Sequence, residues 1–364
     1  MCEQDGVVEV TSFPRTIDEI TPEWLTETLR ESGAIANAKV ESIELANLEG
    51  GIVGEVNRVK LTYDRHEVGA PGTVVAKLAN ADDRLRKGRD RVGLYEREVR
   101  VYRELASVGS GIRLPALYFA DYDGATSYAT ILMEDLGQLR AVKPTEGCST
   151  EDVGAALKYL ARLHSIWWED QRPTGYSWMS GFDDDVSGEQ DQEAFIQVLE
   201  LFLERVGDQL PPGVQEIARK LAPRLADVRS RLACGPVTMI HGDFHLGNLF
   251  FDDAESGADS IVPIDWQTAR PSRPAADVGV LLLTSLLPAK RREYENRLLA
   301  GYFRDLTERG VGDYKYEEFL IDYRLALLNR FALIARTFVA LSRGTPDEEP
   351  KPAGLFGPFQ ALVD

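Results

Sequence analysis

The apolar residues of this chain change period once, and that change limits the fold more than any other feature. Between Val40 and Lys77 they alternate, in KVESIEL, VNRVKLTY and TVVAKLA, with breaks at Gly50, Gly51, Gly54 and the turn Gly69 to Gly72. Alternating β-branched and polar residues give a strand one core face and one wet face, and glycines between such runs mark hairpins. The segment therefore predicts an antiparallel sheet. Leu94, Glu98, Val101, Tyr102 and Leu105 then recur at helical spacing, predicting one crossing helix over Arg91 to Leu105. Strands are predicted again at Ala116 to Asp121 and Tyr128 to Met133, and ILMEDLG ends this strand-rich part at Gly137. Ahead of the sheet, TPEWLTETLRESG has Thr21 as N-cap, Pro22 at the first helical position and Gly33 as its stop, the punctuation of a short helix.

Beyond Gly137 the period becomes helical. STEDVGAALKYLARLHSIWW opens with Ser149 as N-cap, and YEEFLIDYRLALLNRFALIARTFVAL reads as one or two long helices. A chain of 364 residues exceeds what one core usually serves, so two units are expected, 1–136 and 137–364, in an α+β class. Residues 171–190 are polar and glycine-rich and read as a surface insertion. Its Asp183, Asp184 and Asp185, beside Trp178 and Phe182, are candidates for holding an amine or forming a lid.

The formal charge of −18 repels phosphate backbones and anionic lipid, which argues against nucleic-acid and membrane-surface partners. The longest apolar run, Val278 to Leu287, is too short for a membrane helix. Cys2, Cys148 and Cys234 are odd in number and far apart, so neither a disulfide framework nor a zinc site is expected. The start MCEQDGVVEV lacks a basic segment followed by an apolar one, and a cytoplasmic location is the expectation.

One interruption of the helical part is dense in chemistry. His241-Gly242-Asp243 is followed by Asn248, and Asp265 comes 22 residues after Asp243 in IVPIDW, a layout that reads as a short hairpin displaying its loops. Phosphoryl transfer needs a carboxylate to take the proton of the incoming hydroxyl and separate oxygens to grip a divalent cation against the phosphates. This spacing supplies both. No P-loop GxxxxGK[ST], no GxSxG and no HExxH occurs.

HGDFHLGN followed by IDWQTARPSRPAADVG resembles the catalytic and metal-binding loops of the aminoglycoside phosphotransferase and choline kinase superfamily, most of all its ecdysteroid-kinase-like branch. The resemblance implies a protein-kinase-like two-lobed fold. In it an N-terminal antiparallel β lobe carries one crossing helix, a larger helical C-terminal lobe follows, and ATP with Mg2+ lies in the cleft. It implies that Asp243 is the catalytic base, that His241 braces the same loop, and that Asn248 and Asp265 hold the magnesium. Asp277 matches a later Asp of more structural role. It further places Lys77 over the α- and β-phosphates with Glu98 as its partner, Glu96 and Glu104 being the alternatives. Gly51 and Gly54, in LEGGIVGEVNRV, are candidates for phosphate contact, and the backbone near Glu134 and Asp135 for the purine edge. His164 lies on a stripe with Leu160 and Trp167 and reads as packing; His245 either touches substrate or orients the loop. The activity implied is transfer of the γ-phosphoryl group to a hydroxyl of a small-molecule acceptor. The rivals are a non-catalytic nucleotide-binding pseudokinase and a protein Ser/Thr kinase.

Overall fold

A computed structural model describes residues 13–48, 54–107, 111–143, 146–168, 188–342 and 362. Gly51 and the insertion's Trp178, Phe182, Asp183, Asp184 and Asp185 lie outside the described residues. Contacts divide the chain into one unit of Met1–Arg103 with Pro115–Asp135 and a second of Glu104–Leu114 with Leu136–Asp364.

The first unit is built on a five-stranded sheet of β1 (Val40–Asn47), β2 (Gly54–Tyr63), β3 (Thr73–Ala79), β4 (Leu117–Asp123) and β5 (Tyr128–Glu134). Their order is β1-β2-β3-β5-β4, and every neighbouring pair is antiparallel. Helix α1 (Pro22–Glu31) is capped by Thr21, whose hydroxyl accepts from the Trp24 amide. Its Leu25 and Leu29 pack on Val59, Leu61, Val74, Ala76, Leu78 and Leu132, which fill one face of the sheet. Because side chains alternate along β3, Lys77 points away from that core.

Helix α2 (Asp83–Asp90) is an element that the period did not predict. Its buried position is Arg86, which donates to the carbonyls of Asn80, Ala81 and Thr126 and lies 3.9 Å over the Tyr128 ring. A helix whose inner face is a guanidinium leaves no apolar signature. Helix α3 (Leu94–Ser107) follows, with Tyr95, Val99 and Tyr102 buried.

The second unit is mostly helical: α4 (Thr150–Ile166), α5 (Gly188–Val206), α6 (Val214–Leu221), α7 (Leu225–Ala233), α8 (Ala275–Ser285), α9 (Pro288–Glu308) and α10 (Tyr316–Ser342). The C-terminal run is thus one helix. Its Phe331 meets Phe195 and Phe202 of α5 edge-on in the core. Two small sheets are set among the helices. In one, β6 (Arg140–Ala141), β8 (Leu249–Phe251) and β9 (Ile261–Pro263) lie in that order; in the other, β7 (Thr238–Ile240) pairs with β10 (Arg270–Ser272). The β8–β9 pair is the predicted hairpin, while the β7–β10 pair that ties its two flanks together was not foreseen. The apolar run at Val278 lies in the buried helix α8, and no described helix is long and apolar enough to cross a membrane.

Candidate active site

The chain leaves β7 at His241 and turns through Gly242, whose φ of +84° lies in the left-handed region. A Cβ there would come within 2.4 Å of the Thr268 carbonyl oxygen, so glycine is demanded by backbone and space together. The turn is fastened from below by Asp277 in the first turn of α8, which is fully buried. Asp277 Oδ2 accepts from the His241 amide at 2.7 Å and Oδ1 from the Gly242 amide at 2.8 Å. His164 of α4 lies with Nε2 at 3.3 Å from Oδ2, and its Nδ1 takes the Tyr302 hydroxyl at 2.7 Å. The packing reading of His164 holds for its burial, but the ring also joins α4 and α9 to the loop's anchor. Burial alone would push the Asp277 carboxyl up; the His164 contact and the His241 groups outweigh it and hold it below the usual carboxylate range.

His241 is likewise fully buried, between the rings of Phe244 and Trp266. Its Nε2 donates to the Ile264 carbonyl at 2.9 Å and its Nδ1 faces the Asp243 amide at 3.3 Å. Burial lowers its pKa, so the ring is a neutral strut binding the loop to the segment that carries Asp265.

Asp243 stands at the tip. Arg330 Nη2, from α10, donates to its Oδ1 at 2.6 Å, and His245 Nε2 lies 3.4 Å from Oδ2. The His245 ring is turned by its own Nδ1, which accepts from the Gly247 amide at 3.0 Å. Partial burial pushes the Asp243 carboxyl up, but His245 and Arg330 together bring it well below the ordinary value, so it is ionised at neutral pH.

Asn248 closes the turn of residues Leu246–Asn248, with Nδ2 donating to the Asp243 carbonyl at 3.0 Å. Its amide nitrogen being spent, Oδ1 is the atom left to bind a cation. Leu249 pairs with Pro263 across β8 and β9, so Asn248 and Asp265 sit at the same end of the hairpin. Asp265 has φ of +67°, one of two non-glycine residues with positive φ among those described, and its Oδ2 accepts from Gln267 Nε2 at 3.1 Å. A left-handed aspartate costs about 1–3 kcal/mol and persists where the surroundings over-determine it, commonly at functional sites. One carboxylate and one amide oxygen are hard donors, the set that magnesium accepts when waters and substrate phosphates complete its shell.

In the first unit, Lys77 Nζ lies 2.7 Å from Glu98 Oε1, the carboxylate being 4% exposed and the lysine side chain 16%. Glu96 instead pairs with Arg100 of its own helix. Gly54 opens β2, where a Cβ would strike the Leu78 carbonyl at 2.2 Å; close strand approach thus requires that glycine whatever else it touches. It also lines a shallow cavity of about 330 Å³ with Asn47, Leu48, Glu55, Val56, Asn80 and Ala81. Glu134 closes β5 and spends its carboxylate on the Ala116 amide at 3.0 Å, while Asp135 takes two bonds from Arg58 at 2.6 and 3.0 Å.

Sequence reasoning missed Arg330. The signal present was a single cation in the apolar stretch LALLNRFALIA of α10, with no local partner to explain it.

A five-stranded antiparallel sheet bearing a Lys–Glu pair and a helical unit bearing this anchored Asp loop define a protein-kinase-like α+β fold. Solved structures share it. A protein of Ralstonia eutropha JMP134, provisionally named an aminoglycoside phosphotransferase, superposes with TM-score 0.56 at 15% identity over 94% of this chain and 96% of its own. Aminoglycoside 2'-phosphotransferase-IIIa, as its GDP complex, gives 0.51 at 13% identity over 94% and 98%. Residues 51–311 match the ecdysteroid kinase-like family, and the chain belongs to that family of small-molecule kinases. No curated protein matches it by sequence.

Proposed function

We propose that the chain transfers the γ-phosphoryl group of ATP to an alcohol hydroxyl of a small molecule, with Asp243 as the base. The observation that carries this reading is the placement of one ionised carboxylate on a loop braced by Asp277 and His241, beside two hard oxygen donors at one hairpin end. The acceptor oxygen bonds to the γ-phosphorus as the bond to the β,γ-bridging oxygen breaks, and the hydroxyl proton passes to Asp243. Such transfer runs through a loose transition state, so positioning and charge neutralisation do most of the work and a weakly basic carboxylate suffices. Asn248 and Asp265 would hold Mg2+, which when bound neutralises charge on the phosphates. Lys77, oriented by Glu98, would hold the α- and β-phosphates. Gly54 and Gly51 would approach the phosphates, and the backbone around Glu134 would meet the purine. His241 serves as a positioning residue, since a fully buried ring cannot touch substrate.

The relative crystallised with GDP supports a nucleotide donor, and the aminoglycoside kinases of this fold support a hydroxylated acceptor. The net charge of −18 favours neutral or cationic acceptors, and with the cysteine usage it fits a cytoplasmic enzyme. A screen of magnesium-dependent ATP consumption against hydroxylated metabolites tests the assignment. At least one acceptor should raise turnover above the rate in water and appear as a phosphate monoester; absence of any nucleotide turnover overturns it.

A further inference from the structure

Both oxygens of the Asp243 carboxylate have neighbours, but the two are not alike. Oδ1 takes a short charge-assisted bond from Arg330 Nη2 at 2.6 Å, and Oδ2 has His245 Nε2 at 3.4 Å, too long for a strong bond. Resting on the functional reading above, we infer that Arg330 is a positioning residue for the transfer. It clamps Oδ1 and fixes the plane of the carboxylate, so that Oδ2 is the oxygen that accepts the proton of the incoming hydroxyl, displacing the loose His245 contact.

Three features support a role in the site rather than in simple bracing. Arg330 projects from α10, a helix whose core-facing neighbour Phe331 is buried, yet its own guanidinium is turned to the base and is 19% exposed. Its buried Nε finds no partner among the described residues, so Asp243 is the bond that gives this cation its place. Finally, α10 packs on α8, the helix whose Asp277 anchors the loop under Asp243, closely enough at Gly279 that an added Cβ would touch Leu327 and Ala326. The clamp and the loop it steadies are therefore mounted on one pair of packed helices. An arginine suits the task because its planar fork fixes orientation, whereas an ammonium supplies charge alone.

The step balances without a further reactant. The acceptor O–H bond breaks, its proton goes to Oδ2, the new O–P bond forms, and the nucleoside diphosphate leaves with the bridging oxygen.

The test compares wild type with Arg330→Met, Arg330→Lys and His245→Ala in magnesium-dependent ATP turnover, using water as acceptor and then any acceptor from the screen. Nucleotide KM and melting temperature are measured in parallel. Arg330→Met should lower kcat by about 10- to 100-fold, the order that misplacing a reacting group costs, with nucleotide KM essentially unchanged. Arg330→Lys should recover part of the loss, and His245→Ala should lose less than Arg330→Met. Should Arg330→Met not fold, Arg330→Gln replaces it, keeping a donor without the charge. An unchanged kcat in the neutral variant, a loss expressed in KM, or a His245→Ala loss exceeding that of Arg330→Met overturns the inference. A wild-type protein inert toward nucleotide instead overturns the functional reading, so the two failures are told apart.

Discussion

Replacing Asp277 by Asn probes the anchor on which the Asp243 loop stands. The carboxylate is fully buried and accepts from two backbone amides at 2.7 and 2.8 Å, with His164 at 3.3 Å on the same side. Asn keeps one acceptor and turns an NH2 toward an N–H, so one charge-assisted bond is lost and one buried donor is left unmet. The first costs about 1.5–3 kcal/mol and the second about 1–3 kcal/mol. A total of roughly 3–5 kcal/mol agrees with the cost of breaking a buried charged pair. For a unit of this size that is a fall in melting temperature on the order of 10 °C. The pH dependence gives a second reading. The folded carboxyl lies below its unfolded value, so its contribution is present above the usual carboxylate range and is lost as pH falls through the depressed folded value. Asp277→Asn should therefore melt at a temperature that varies less with pH on the acid side than that of wild type. Urea unfolding followed by tryptophan fluorescence, repeated from neutral pH downward, reads both effects. A loss below about 1 kcal/mol, the size of an ordinary surface change, would refute the anchoring argument.

Gly242→Ala forces a left-handed alanine, worth about 1–2 kcal/mol, and adds a clash with the Thr268 carbonyl. Its melting temperature should fall and its nucleotide turnover with it, and a fully active, equally stable variant would contradict the loop geometry. Glu98→Gln keeps an oxygen for Lys77 but removes the carboxylate charge at that position, so stability should drop by about 1–2 kcal/mol. Nucleotide titration should show a weakened dissociation constant, while unchanged affinity would remove Lys77 from the phosphate site.

The sheet and α1 were legible because their signals are local: alternation, a Thr cap, a proline at the first turn. Asp243, Asn248 and Asp265 were legible because a short loop and a hairpin fix their spacing. Helix α2 was hidden since Arg86 fills its buried position, and β7 pairs with β10 through three residues apiece, too short for a pattern to show. Arg330 meets Asp243 across 87 residues, and no period in a sequence encodes such a contact. Asp277 was legible as structural, but its two backbone bonds and its tie to His164 and Tyr302 required the packing of three helices.

The most direct measurement is rapid-quench transfer by Asp243→Asn beside wild type, with nucleotide affinity determined on both. Asn keeps the size of the side chain and cannot hold the acceptor's proton, so the transfer step should slow by about 100-fold or more while magnesium–ATP binds as before. Transfer at the wild-type rate in the asparagine protein would contradict the assignment of that carboxylate as the proton's destination.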